Sequence, residues 1–416
     1  MMGPIGIVPS GWTAFTLGDL LDFSNGINAE KSSYGSGTPF ANVLEVITND
    51  YLDEVLIPGR IDLPQNTLNR YRVQHGDVLF NRTSETQEDI GLSSVYVGKN
   101  PVVFGGFVLR GQPKTSDVSV GFSKYCFRSR LVRQQIVARG QGGIRSNIGQ
   151  RDLKTVQIAI PPVREQNAIA AALDDASASI ACLERLLVKK QAIKQGMIQR
   201  LLTGETRLPG FAEAWSATTL GALGTFVKGR GVKRDDVRGS GVPCIRYGEL
   251  YTAFRDYAAE ARSFVAPEIA ATALALRTGD VLFAGSGETR DEIGKCVAYV
   301  GPTPAVAGGD VIVLRSDQCN AIYLALLANT PEVVSQKARA GQGDAVVHIY
   351  THALAAIEVT LPPRTEQDAI TGVIVSADRE IRLLKDRLAK AVFVKQAMMQ
   401  ELLTGRTRLP VVGAAV

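Results

Sequence analysis

What the chain lacks excludes most chemistry at once. Its five cysteines, at 126, 182, 244, 296 and 319, form no CxxC pair and are odd in number. Neither a disulfide scaffold nor a zinc site is written here, and isolated thiols of this kind fit a reducing cytosol. No run approaches the roughly 18 apolar residues of a membrane span, "AIYLALLA" being far too short. The opening "MMGPIGIVPSGW" has neither the charged head nor the apolar stretch of a signal peptide. A G-x-x-x-x-G-K-[ST] phosphate loop is missing, since "GETRDEIGKC" has the wrong spacing and ends in Cys, and this removes an ATP motor. The three histidines make no HExxH motif, and His348 and His352 have no third ligand in view. The "NPPY" or "DPPY" tetrapeptide of a methyltransferase and the PD dipeptide of a PD…(D/E)xK nuclease are both absent. Charge of one sign is also scarce: 46 basic against 41 acidic groups leave +5, which permits nucleic-acid binding without demanding it.

What is present begins with size. At 416 residues and 45% hydrophobic content, the chain is globular and too long for a single ordinary core. It is also written twice. "LLTGETRLP" ends at 209 and "LLTGRTRLP" at 410, agreeing in eight of nine letters. "WTAFTLGDL" from Trp12 matches "WSATTLGAL" from Trp215, and "GDVLF" recurs at 76–80 and 279–283, both 203 positions apart. "EDIGLSSVYVG" lines up with "DEIGKCVAYVG", and "IPPVREQNAI" with "LPPRTEQDAI", where the offset is 201. An offset so steady marks a tandem duplication.

Each repeat opens with about 145 residues of short apolar runs separated by Gly, Pro, Asn and Asp. "DVLF", "SSVYVG", "VVFGGFVLR" and "TVQIAI" read as strands, answered by "DVLF", "CVAYVG", "GGDVIVLR" and "AIEVTL", while "YLALLANTPEVVSQKARA" reads as helical. The expectation is a mixed α/β domain, mainly β with some helix. After Pro162, apolar residues fall at Ile169, Leu173, Ile180, Leu183, Leu187, Met197 and Leu201; after Pro363, at Ile370, Ile374, Ile381, Leu384, Leu388, Met398 and Leu402. This alternating 4–3 spacing is a coiled-coil seam. Pro at the start, Glu-Gln in the first turn and Thr-Gly at the end bound a helix of about 37 residues, roughly 55 Å long at 1.5 Å per residue. Burying six or seven large side chains at about 1.5–3 kcal/mol each outweighs their rotamer cost. The two helices are therefore expected to pair, antiparallel, as a pseudo-two-fold spacer. Lys194 and Lys395 stand at matching seam positions, where a stem snorkelling outward is the simplest reading. Asp77 and Asp280, before "VLF", read as strand-entry turns.

The pattern Trp…LG.L…GDVLF…PP..EQ..I…LLTG.TRLP, written twice across residues 12–412, resembles the DNA-specificity (S) subunit of type I restriction–modification systems. The resemblance implies target recognition domains at 1–160 and 210–360, each reading half of a bipartite DNA sequence. It implies helical regions at 161–209 and 361–412 that set the spacing and dock two methyltransferase (M) subunits. Restriction (R) subunits are implied as further partners, with no catalysis in this chain and no membrane. S-adenosylmethionine would then belong to the methyltransferase, and ATP and Mg to the restriction subunit. The halves agree at junctions and helices and diverge in the globular parts, as two readers with different targets would.

Base readout needs side chains with paired donors or acceptors. In the first domain these gather in three polar loops, giving Asn25, Lys31 and Tyr34; Asn81, Arg82, Thr83 and Gln87; and Arg145, Ser146 and Asn147. The second domain offers Lys228, Arg230, Lys233, Arg234, Arg246, Arg290, His348 and Tyr350. Several of these would touch phosphate, which positions without specifying. "FAGSG" at 283–287 imitates an S-adenosylmethionine loop, but its repeat partner "FNRTS" has no glycine. Two competing expectations stand beside the S-subunit reading: a self-contained DNA methyltransferase or nuclease, and a coiled-coil protein adaptor. With so small a charge surplus, weak DNA binding by the chain alone is expected.

Overall fold

The computed structural model of the chain describes residues 7–142 and 145–410. It divides into two compact units, Met1–Glu184 with Asp386–Val416, and Arg185–Lys385. Both boundaries fall inside long helices, Val163–Leu202 and Arg364–Leu402. Each unit therefore joins the globular part of one repeat to the first half of its own helix and the second half of the other repeat's.

In the first unit a five-stranded sheet has the order Leu21–Asn25, Val108–Pro113, Val78–Asn81, Ser93–Tyr96, Tyr51–Leu52. In the second unit the order is the same: Thr225–Lys228, Val311–Arg315, Val281–Ala284, Cys296–Tyr299, Tyr257–Ala258. Only the last strand of each runs parallel to its neighbour. "GDVLF" is the entry to the central strand. Gly76 and Gly279 turn at φ 91° and 96°, a region glycine reaches without steric cost. The Asp77 carboxylate then accepts from the Gln74 amide at 2.9 Å, and that of Asp280 from the Arg277 amide at 2.8 Å. Beyond the turn, side chains alternate between two buried faces: Val78 and Phe80 enter one core and Leu79 another. Val281 and Phe283 repeat this opposite Leu282. The helical stretch around 321–340 is two helices, Ala321–Ala328 and Pro331–Ala340. Pro331 lacks the N–H that would continue the first.

Pro162 and Pro363 stand just before the long helices, and Gly204 and Gly405 follow their ends at φ 72° and 65°, as left-handed glycines close helices. The ends of the 4–3 pattern enter globular cores as well as meeting each other. Ile169 and Leu173 lie with Leu402 and Met398 against the first unit's sheet, and Ile370 and Ile374 lie with Leu201 and Met197 against the second's. Farther along, Ile381 and Leu384 are buried, while Ile180, Leu183, Leu187 and Leu388 are half-buried. Within the second unit Lys190 meets Glu380 at 2.8 Å and Lys194 meets Asp378 at 2.6 Å. Numbers that rise along one helix as they fall along the other mark an antiparallel pair.

Lys194 corrects the sequence expectation. Its side chain is only 4% exposed and does not snorkel; its ammonium sits 2.6 Å from Asp378 and 3.6 Å from Asp256. Lys395 likewise pairs with Asp50 at 2.9 Å. Asp256 and Asp50 are matching residues, each preceding the sheet's parallel edge strand. Each helix lysine thus ties the second half of its helix to the other repeat's globular domain.

The duplicated phrase works in the same crossed manner. Arg408 forks onto the buried Glu165 carboxylate, Nη2 to Oε2 at 2.7 Å, and Arg207 onto Glu366 at 2.6 Å. Each guanidinium also faces a repeat's opening tryptophan, Arg408 over Trp12 and Arg207 over Trp215. Arg408 further donates to the Ser10 carbonyl and Arg207 to that of Glu213. "TRLP" of one repeat therefore locks onto "PP..EQ" of the other. Among the described residues no helix is long and apolar enough to cross a membrane.

Candidate nucleic-acid interface

Beside each main sheet the chain builds a short antiparallel ribbon from two loops distant in sequence. In the first unit Thr83–Ser84 pairs with Ser146–Asn147, and in the second Ser286–Gly287 pairs with Val347–His348. The registers coincide, Asn147 opposite Thr83 and His348 opposite Ser286. On its other side Asn147 exchanges both backbone hydrogen bonds with Gln141, and His348 does so with Gln342. The following residues are held too, Ile148 N–H donating to Arg82 O and Ile349 N–H to Gly285 O. Backbone this fully bonded holds its side chain in one direction. The turns that permit it need glycine: Gly142 and Gly343 have φ 121° and 105°, and a Cβ would lie 2.1 Å and 2.3 Å from the Arg145 and Val346 carbonyl oxygens.

The side chains on these ribbons are also bonded. Thr83 Oγ1 donates to Asn147 Oδ1 at 2.7 Å, and Ser286 Oγ lies 2.9 Å from His348 Nδ1. Asn147 and His348 are exposed. Tyr251 donates its hydroxyl to the Ser286 carbonyl at 3.1 Å, and burial raises that phenol to about 12, leaving it a neutral donor at neutral pH. Arg290 reaches Gly341 O and Gly343 O at 3.3 and 3.4 Å, so part of its donor set braces the ribbon's neighbouring turn.

In the second unit most of the sequence-selected residues gather around Asp310. Lys233, Arg234 and Arg246 line a cleft of about 520 Å³ with Gly308, Gly309 and Asp310. Lys228, His348 and Tyr350 line a smaller one that also contains Asp310. Arg246 Nε is buried without a hydrogen-bond partner among the described residues, 3.8 Å from Glu249. Tyr350 stacks on His352, 6.0 Å between centroids. Arg230 is exposed nearby in sequence, between Lys228 and Lys233.

In the first unit Asn25 ends the edge strand at the position matching Lys228 and accepts from Gln150 Nε2 at 3.1 Å. Lys31 and Gln87 are exposed, Tyr34 is 40% exposed with its ring edge on Phe40, and Arg82 and Ser146 are half-buried. Arg145 is exposed, 3.4 Å from Glu85. Asn81 is a correction. It is fully buried, its Nδ2 donating to Asp89 O at 3.0 Å and its Oδ1 accepting from the Thr83 amide at 3.3 Å. It shapes the loop and has no free edge for DNA. Ser286 was missed by sequence reasoning, although its repeat counterpart Thr83 was selected and Arg290 was chosen from the same polar loop, "AGSGETRDE". Among the described residues no group of three or more His, Cys, Asp or Glu is placed to hold a metal ion.

Comparison with known proteins agrees with this arrangement. Residues 9–192 match the family model described as the type I restriction modification DNA specificity domain. The chain is 23% identical over 427 residues to the putative type I restriction enzyme MjaX specificity subunit of Methanocaldococcus jannaschii, covering 97% of this chain and 96% of that one. It shares its fold with the type I restriction–modification S subunit of M. genitalium, at TM-score 0.55 and 15% identity over 96% of this chain and 99% of that one. The HsdS subunit of Thermoanaerobacter tengcongensis matches at TM-score 0.56 and 17% identity over 96% and 98%. The domain matched over residues 9–192, a relative aligned along nearly its whole length and a common fold agree with the duplicated motifs: the chain is similar to the specificity subunits of type I restriction–modification systems.

Proposed function

We propose that this chain selects the DNA sequence on which a type I restriction–modification complex acts. Residues 1–160 and 210–360 are the two target recognition domains, each reading one half of a bipartite site. The helical regions at 161–209 and 361–412 set the gap and dock two methyltransferase subunits. The observation that carries this reading is the pair of ribbons: equivalent backbone in both units presents different polar side chains, Asn147 in one and His348 in the other. One recognition frame filled twice with different donors and acceptors is what reading two sequences requires.

The helices carry exposed apolar side chains that suit docking: Leu186, Val188, Ile193 and Leu383 in the second unit, and Val392, Phe393 and Val394 in the first. The chain itself contributes recognition and no bond-making step. The methyltransferase partner brings S-adenosylmethionine, restriction subunits bring ATP and Mg, and the complex works in the cytoplasm. The small charge surplus makes DNA affinity depend on the partner, which supplies further phosphate contacts. The test is to co-express the chain with its methyltransferase subunit in a methylation-free host and map modified adenines genome-wide. Two short half-sites with a fixed unspecified gap, lost when this chain is omitted, support the proposal. A contiguous motif that persists without the chain refutes it.

A further inference from the structure

We infer that Asn147 and His348 each read one base in the major groove, adenine by the first domain and guanine by the second, and that Thr83 and Ser286 are positioning residues that set those preferences. This rests on the two-reader function proposed above and adds the base chemistry to it.

The argument begins at Ser286. Its hydroxyl is buried, and among the described residues its hydrogen-bond partner is His348 Nδ1, at 2.9 Å. A buried O–H left without an acceptor is costly, so the hydroxyl donates to Nδ1 and the neutral imidazole carries its proton on Nε2. Were the ring to take a second proton, the Ser286 bond would reverse and Nε2 would still donate. The exposed edge of His348 therefore offers a donor in either state. Guanine presents two adjacent acceptors, N7 and O6, on its major-groove edge and no donor there, whereas adenine places its N6 amino group beside N7. A lone donor held in one direction favours guanine.

The equivalent position in the first domain has the opposite balance. Thr83 Oγ1 donates to Asn147 Oδ1 at 2.7 Å, which fixes the amide's orientation. The carbamoyl oxygen keeps a second lone pair and Nδ2 keeps a hydrogen beyond its 3.3 Å bond to the Arg145 carbonyl. One acceptor beside one donor is the complement of adenine N6 and N7. The two Ser/Thr hydroxyls do the same task in both domains, and what differs is only the group they orient.

The experiment maps the methylated motif of the complex with the methyltransferase subunit for the unaltered chain and for His348→Ala, Asn147→Ala, Ser286→Ala and Ser286→Thr. His348→Ala is expected to relax one G·C position in one half-site, with about a tenfold or greater loss of discrimination. Asn147→Ala relaxes one A·T position in the other half-site, and the untouched half in each case reports that the complex is folded. Ser286→Ala erodes the same position as His348→Ala to a smaller degree, and Ser286→Thr restores it. A second measurement needs no variant: replacing the guanine in that half-site by 7-deazaguanine removes N7 and is expected to weaken binding by the unaltered complex about tenfold. Relaxation at the opposite base type overturns the inference. So does unchanged discrimination in both variants, or indifference to 7-deazaguanine throughout the half-site. If the unaltered complex yields no two-part motif, the function itself fails, an outcome distinct from these.

Discussion

Lys194→Met keeps most of the side chain's length and removes its charge, and the structure sets the expected cost. The Lys194 side chain is 4% exposed, and its two carboxylate partners, Asp378 and Asp256, are 19% and 16% exposed. Without the ammonium, two poorly hydrated carboxylates face each other with no counter-ion. Removing one member of a buried pair costs about 3–5 kcal/mol, and the partial hydration of the acids lowers this to about 2–4 kcal/mol. For a unit of about 200 residues each kcal/mol moves the midpoint by about 2–4 °C, so the second unit should melt about 4–16 °C lower. Lys395→Met is the internal comparison. Asp50 keeps a second cation, Arg128 at 3.3 Å, and is itself 29% exposed, so the loss there stays near about 1 kcal/mol. Scanning calorimetry of the full chain measures both. Adding Asp378→Asn and Asp256→Asn to Lys194→Met should recover most of the loss, because no charge then remains unpaired. If the two lysine variants fall within about 0.5 kcal/mol of each other, the burial and partner argument is wrong and both lysines are merely solvated helix residues.

In a Trp215→Phe background the sole remaining tryptophan, Trp12, lies under Arg408; Glu165→Gln should loosen that guanidinium, shift the Trp12 emission and cost about 1–2 kcal/mol, and an unchanged spectrum would contradict the crossed lock. Gly229→Ala places a Cβ 2.0 Å from the Gly308 carbonyl oxygen, which should cost about 1–3 kcal/mol and disturb the cleft around Asp310, read as loss of discrimination in one half-site alone. Burial lowers Lys337 to about 8, below its unfolded value of about 10.4. Between those two pH values the unfolded chain binds the extra proton, so second-unit stability should rise with pH there and stay flat below about 8. Lys337→Ile, taking the residue found at the matching Ile136, should abolish that rise in urea titrations run at several pH values, and a rise that persists would refute the assignment.

The repeat, the strands and the long helices were legible because each is carried by neighbours: the 203-residue offset, the period-two runs and the 4–3 spacing need no tertiary knowledge. The tying residues were not, because their partners lie far along the chain. Arg408 and Glu165 are 243 positions apart, and Arg207 and Glu366 are 159 apart. "TRLP" announced itself as a duplicated phrase without revealing what it holds. Lys194 looked like a flaw in an apolar seam because Asp256 belongs to a strand edge that nothing local associates with the helix. Asn81 failed for the reverse reason. It borders a polar loop in sequence, but strand alternation turns it inward, where it bonds Asp89. Asn147 and His348 were selectable by type and position, but the hydroxyls that orient them come from another loop.

The most direct test of two independent readers on one helical frame replaces residues 216–361 by a second copy of 13–160, leaving both long helices untouched. The methylation pattern of the resulting complex is then mapped with the same methyltransferase subunit. Two readers predict a motif built from two copies of the first domain's half-site, separated by the original gap and without the second half-site. A motif that still contains the second half-site would contradict the assignment of recognition to these domains, and a changed gap would contradict the assignment of spacing to the helices.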